Sequence, residues 1–173
     1  MKRLNLFTSL LLAAIFFFTD SSAQGGYIKI GDIKGESVEA KHRDWIIIQS
    51  FSQGVSRQTS GATGAGRARS SATMQEFIVT KNIDISSPKL MEAAVKGQII
   101  PEVTLDLTAS NRNSFYTVKM TNVLISSFSN SGACSSQCEV TEQVTFNFEK
   151  ITWTYVDSRG GTTTSSYNVD KGM

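Results

Sequence analysis

Apolar side chains recur at two different periods along this chain, and the changes of period mark out its elements. Leu90, Met91, Ala94 and Val95 share one side at helical spacing, while Lys89, Glu92 and Lys96 point elsewhere. That pattern predicts a short amphipathic helix over about residues 88–96, lying on an apolar surface. Ser87 is placed to cap its first turn, Pro88 fits the first helical position where a missing N–H costs nothing, and Gly97 offers a left-handed exit. Pro101 forbids continuation, after which Val103, Leu105 and Leu107 alternate with Thr104, Asp106 and Thr108 at the period of a half-buried strand.

The remaining apolar positions read as strands. Tyr27 and Lys29 alternate with Ile28 and Ile30 before Gly31 and Gly35 signal a turn. The continuous run Trp45-Ile46-Ile47-Ile48 predicts a strand, reaching to Ser52, that is buried on both faces at its start. Strand signals resume from Met74 through Phe77, Ile78 and Val79. Beyond the turn at Asn111-Arg112-Asn113, a long strand places Tyr116, Val118 and Met120 on one parity and Val123 and Ile125 on the other, which implies a bend near Asn122. A second long strand repeats the device, with Val144, Phe146 and Phe148 opposed in parity to Ile151, Trp153 and Tyr155. A bulge between Glu149 and Lys150 would keep both sets facing one core, as closed or strongly bent sheets require. The stretch from Asp157 to Val169 predicts a short edge strand or a frayed end. The chain is therefore mainly β, one helix lying against a sheet.

Residues 53–73, QGVSRQTSGATGAGRARSSAT, interrupt this patterning. They offer hardly any large apolar side chain and cannot order themselves by burying a core. The segment is either a mobile surface loop or an interaction element that orders against a partner, since loops of this length are unusual in a compact domain. Gly61, Gly64 and Gly66 lack the Gly-Lys-Ser/Thr ending of a phosphate-binding loop. Arg57, Arg67 and Arg69 are suited to pairing with carboxylates on a neighbouring subunit.

The N-terminus changes the picture of location. Lys2 and Arg3 precede an apolar run from Leu4 to Phe18, then polar residues with Ser21 and Ala23 at the positions a signal peptidase requires. The run is too short for a bilayer span, so residues 1–23 are read as a cleaved signal and 24–173 as a single exported domain, periplasmic or extracellular. The full chain has 17 basic and 15 acidic residues, and the signal takes Lys2, Arg3 and Asp20 with it, so the remainder is nearly neutral. Nothing in that balance supports binding of nucleic acid or an anionic membrane. Cys134 and Cys138, the only cysteines, sit in the linker between the two long strands and are read as a structural disulfide stiffening a hairpin tip. A metal site needs further ligands, and a redox pair more often has two intervening residues where this one has three.

No catalytic constellation is visible. The one histidine, His42, has no cysteine or carboxylate cluster beside it in sequence and is read as structural or solvated. A secreted hydrolase built on scattered Asp and Glu has no motif behind it. The expectation is a protein that is not an enzyme and holds no cofactor or metal.

Four blocks are specific as a set: HRDWIIIQSFSQGVSR (42–57), SPKLMEAAVKGQIIPEVTLDL (87–107), YTVKMTNVLISSFSNSG (116–132) and TEQVTFNFEKITWTY (141–155). In this order they resemble the haemolysin-coregulated protein family, Hcp, the tube proteins of type VI secretion systems. The resemblance implies a compact β-barrel of two packed antiparallel sheets, one short helix and a long extended loop at about 54–73. It further implies a homo-oligomer, a hexameric ring that stacks into a hollow tube, with small effector proteins in the lumen and sheath and spike components as partners. The family's contact loop maps onto Gly54, Val55, Ser56 and Arg57, with Arg67 and Arg69 further along. Combined with the signal, it implies an exported member. The competing reading is a secreted monomeric β-barrel binding module that uses the 57–73 loop.

Overall fold

The computed structural model describes residues 25–59, 69–109, 113–134 and 138–171. The expected signal at residues 1–23 and Arg67 lie outside the described residues. Ten strands and one helix follow in chain order: β1 (Gly25–Ile30), β2 (Ile46–Ile48), β3 (Ser50–Ser52), β4 (Val55–Thr59), β5 (Arg69–Met74), β6 (Phe77–Asn82), α1 (Ser87–Lys96), β7 (Ile99–Thr108), β8 (Ser114–Cys134), β9 (Cys138–Val156) and β10 (Thr162–Asn168).

One antiparallel sheet runs in the order β2-β1-β7-β8-β9-β6-β3, with β10 also on β9. Its two end strands are consecutive in the chain and separated only by Gln49, whose N–H donates to the Thr80 carbonyl at 2.8 Å. The sheet therefore rolls up until its ends meet, and the two packed layers are the halves of this one nearly closed barrel. Ile28, Ile30, Ile46, Phe77, Val79, Val103, Leu105, Val118, Met120, Phe146 and Ile151 fill the inside. The Trp45–Ile48 run is not buried on both faces. Ile46 and Ile48 point inward and Ile47 is 52% exposed, because the strand stops after three residues and alternates like its neighbours.

The bends in β8 and β9 are matched. Val118 and Met120 are buried, and so are Val123 and Ile125; on β9, Val144, Phe146, Phe148 and Ile151 are all buried despite their change of parity. The expected bulge at Glu149-Lys150 is absent as a register shift, since Thr121 stays opposite Lys150 and Val123 opposite Phe148. Instead both strands reverse their facing at one level, where Asn122 adopts a left-handed conformation (φ 51°) and its amide donates to the Glu149 carboxylate. A register shift falls between Ile125 and Ser127.

Helix α1 covers β8 with a face slightly rotated from the one its sequence suggests. Ser87, Leu90 and Ala93 are buried, whereas Met91 is exposed and Val95 is 83% exposed. Gly97 ends the helix at φ 58°, and the Gly97 and Gln98 amides return to the Ala94 and Ala93 carbonyls at 3.2 and 3.0 Å. The N-cap is Ser86 and not Ser87, with no side-chain capping bond. The Ser87 hydroxyl is engaged elsewhere: it accepts from Lys81 Nζ at 3.1 Å and contacts the Glu142 carboxylate at 2.6 Å.

Candidate subunit-contact surfaces

Two polar clusters fix the surfaces on which contacts can form. The first roots the helix. Lys81 follows Phe77 and Val79 on the inward parity of β6, and its ammonium lies 2.6 Å from Glu142 and 2.8 Å from Asp84 with almost no exposure. Asp84 Oδ1 also accepts the Ser86 N–H at 2.9 Å. A buried cation held this way has its hydrogen-bond demand met, which is the condition for tolerating it inside.

The second cluster straps residues 35–45 over the outer side of β1 and β7. Gly35 passes so close to the strand start that a Cβ there would sit 2.4 Å from the Trp45 carbonyl oxygen. His42 stacks on Tyr27 with ring centroids 4.4 Å apart and meets Trp45 edge-on. Its Nδ1 is 2.7 Å from Glu39 and its Nε2 is 2.7 Å from Asp106. Ser114 and Thr117 hydroxyls donate to the same Asp106. Serine, histidine and aspartate thus come together, but serine bonds the aspartate and the histidine has both nitrogens engaged and is buried. No nitrogen is left to take a proton from a nucleophile, so the group fastens the strap. Burial works to raise the Glu39 pKa, yet the His42 ring and the Lys41 and His42 amides outweigh it and hold that carboxyl below its usual value. Among the described residues no group of His, Cys, Asp and Glu could hold a metal ion.

The segment read as a loop at 54–73 has structure at both ends. β4 and β5 pair as a two-stranded ribbon separate from the barrel, with Val55 opposite Met74, Ser56 opposite Thr73 and Arg57 opposite Ala72. The Gln75 N–H donates to the Gly54 carbonyl at 2.9 Å, and Trp153 Nε1–H donates to Gln53 Oε1 at 2.9 Å, so the ribbon is rooted on β9. Val55 is 64% exposed, and Ser56 and Arg57 are exposed too. Arg69 opens β5 opposite Thr59. The alternating small and polar residues of 55–59 and 69–74 carried a weak strand signal that composition masked.

Cys134 and Cys138 are joined by a disulfide at the tip of the β8–β9 hairpin, with Cα atoms 4.1 Å apart. β6 stops opposite Thr141, so the rungs Gly132–Val140 and Ala133–Glu139 project beyond the barrel. Beside the helix, Asp32, Lys34, Ile85, Lys89 and Glu92 rim an open cleft of about 510 Å³. No helix among the described residues is long and apolar enough to cross a membrane.

A family model described as "Type VI secretion system effector, Hcp" matches residues 27–155. Protein hcp1 of Pseudomonas aeruginosa is 31% identical over 128 residues, which cover 72% of this chain and 78% of that protein. A solved structure of a type six secretion system protein superposes with a TM-score of 0.80 at 30% identity, covering 87% of this chain and 99% of that one. A type VI secretion system effector from Yersinia pestis gives 0.71 at 26% identity, covering 83% and 99%. The matched stretch runs from β1 through the Trp153–Tyr155 end of β9, so it takes in the whole barrel and the helix. With this match across its core, the chain belongs to the Hcp family of type VI secretion systems, a family of structural proteins and not of enzymes.

Proposed function

We propose that this chain is a ring-forming subunit of a type VI secretion tube, closing as a homohexamer whose rings stack around a lumen that carries small effector proteins. Sheath and spike components are its further partners. The observation that carries the reading is the family match across the entire barrel, from Tyr27 to Tyr155. Two features support it. The ribbon bearing Gly54, Val55, Ser56, Arg57 and Arg69 is a sheet separate from the barrel with residues 55–57 exposed, and the buried polar groups are spent on holding the fold. Arg67 is assigned to the same contact from sequence.

Residues 1–23 act in this reading as a cleaved signal, so assembly takes place after export, where the Cys134–Cys138 bridge is retained. N-terminal sequencing of the secreted protein should begin at Gln24; an intact Met1 would overturn the signal. Light scattering at micromolar concentration should report a hexamer, and electron microscopy should show rings. A strictly monomeric species would sink the tube reading and leave the binding module using residues 57–73. Co-purified small proteins lost on mutating lumen-facing residues would support cargo carriage.

A further inference from the structure

Strand β10 has two edges and one partner. Its seven residues pair with β9 along their whole length, and among the described residues no strand lies on the other side. Thr162 to Ser166 are exposed, so backbone bonds to β9, more than buried side chains, hold the strand in place. The outward N–H and C=O groups form an open template. Soluble proteins blunt such edges with lysine, proline, bulges or extreme shortness. TTTSSYN has no charge and no proline, and it pairs with β9 without a register shift. Its threonines and tyrosine favour the extended state.

The ribbon β4–β5 is the reciprocal feature. Among the described residues it is a two-stranded sheet whose strands each keep an open edge, and such a ribbon is marginally stable by itself in water. It carries Arg57 and Arg69 and no acidic residue within 55–59 and 69–74, while β10 carries no cation to repel them. Within one chain the ribbon and β10 do not pair. We propose that the open edge of β10 receives the β4–β5 ribbon of a second copy, carrying the β8-β9-β10 sheet across the subunit boundary. The assignment rests on the ring reading above and names its two contact surfaces. Because the two edges differ, the contact is heterologous, and it repeats from copy to copy until rotation closes it.

Disulfide trapping tests the pairing directly. Cys134→Ser and Cys138→Ser remove the native thiols, and Ser56→Cys is combined in turn with Thr163→Cys, Thr164→Cys and Ser165→Cys to sample neighbouring registers. The expected result is a ladder of covalent multimers beyond the dimer on a non-reducing gel for at least one pair, with no such ladder from any single-cysteine variant. A crosslink closed within one chain, or no crosslink while light scattering still reports rings, would overturn this pairing and leave the ring reading intact. A monomeric wild-type protein would instead remove the ring reading itself. As a second arm, Thr164→Lys and Ser166→Lys place charge on exposed positions of the edge. They should weaken self-association by about tenfold or more with an unchanged circular dichroism spectrum. Self-association equal to wild type in both lysine variants would count against the proposal.

Discussion

Lys81 occupies a position that strand alternation reserves for an apolar side chain, and its neighbours make that tolerable. Its nearest acceptor, Glu142, lies 61 residues away, which is why no reading of the sequence could pair them. Truncation by Lys81→Ala would leave Glu142 buried beside an empty space. It should cost about 3–5 kcal/mol in urea unfolding. The double change Lys81→Met with Glu142→Leu should recover much of that loss, since it removes both charges together. On the exposed face of the helix, Glu92 meets Lys89 at 2.8 Å and Lys96 at 2.5 Å. Hydrogen bonds from Lys89 and then Lys96 pull its pKa down to about 2 from 4.5. Because the folded value is the lower one, the stabilising contribution is complete above the unfolded pKa and disappears as pH falls from about 4.5 through about 2. A carboxyl-detected NMR titration should place the midpoint there. Lys89→Gln with Lys96→Gln should move it up, and high salt should shrink the difference.

At the scale of elements, helix α1 was legible in its limits and less so in its orientation. Gly97 ends it as expected, since a left-handed residue is needed there and glycine alone adopts it without strain. Gly97→Ala should destabilise by about 1 kcal/mol in thermal unfolding, although a Cβ would meet no atom within 4 Å. Two overlapping apolar stripes run along this helix, and periodicity cannot choose between them. The structure buries Leu90 and Ala93 and packs Ala94 partly against the core, leaving Met91 and Val95 outside. The ribbon was hidden for a different reason. Its strands pair through the backbone while their side chains, apart from the Val55–Met74 pair, are small or polar, so no hydrophobic alternation announces them. The hairpin tip yields a prediction of its own. Reduction of Cys134–Cys138 should speed hydrogen exchange at residues 131–134 and 138–141, which no third strand supports, and leave the amides of β7 unchanged.

For the molecule as a whole, one continuous core implies one cooperative unit. Phe146→Ala, removing a fully buried ring, should cost about 3–5 kcal/mol and shift a single urea transition without splitting it. The barrel itself was foreshadowed by the parity reversals of the long strands and by the resemblance of four sequence blocks to a known family. The place of its seam was not. β2 and β3 look like one strand in the sequence, and only the change of partner at Gln49, from β1 on one side to β6 on the other, turns that run into the seam. The twin reversal at Asn122 and Glu149 carries a further consequence. Removing Asn122 alone would restore plain alternation along β8, and removing Glu149 alone would do so along β9, each deletion leaving the partner strand with one unmatched residue. Removing both would restore perfect alternation and the same buried set, yet deprive the hairpin of its fold-over point. Such a doubly shortened chain would have every oily residue in its proper place and still lie too flat to roll into a cylinder.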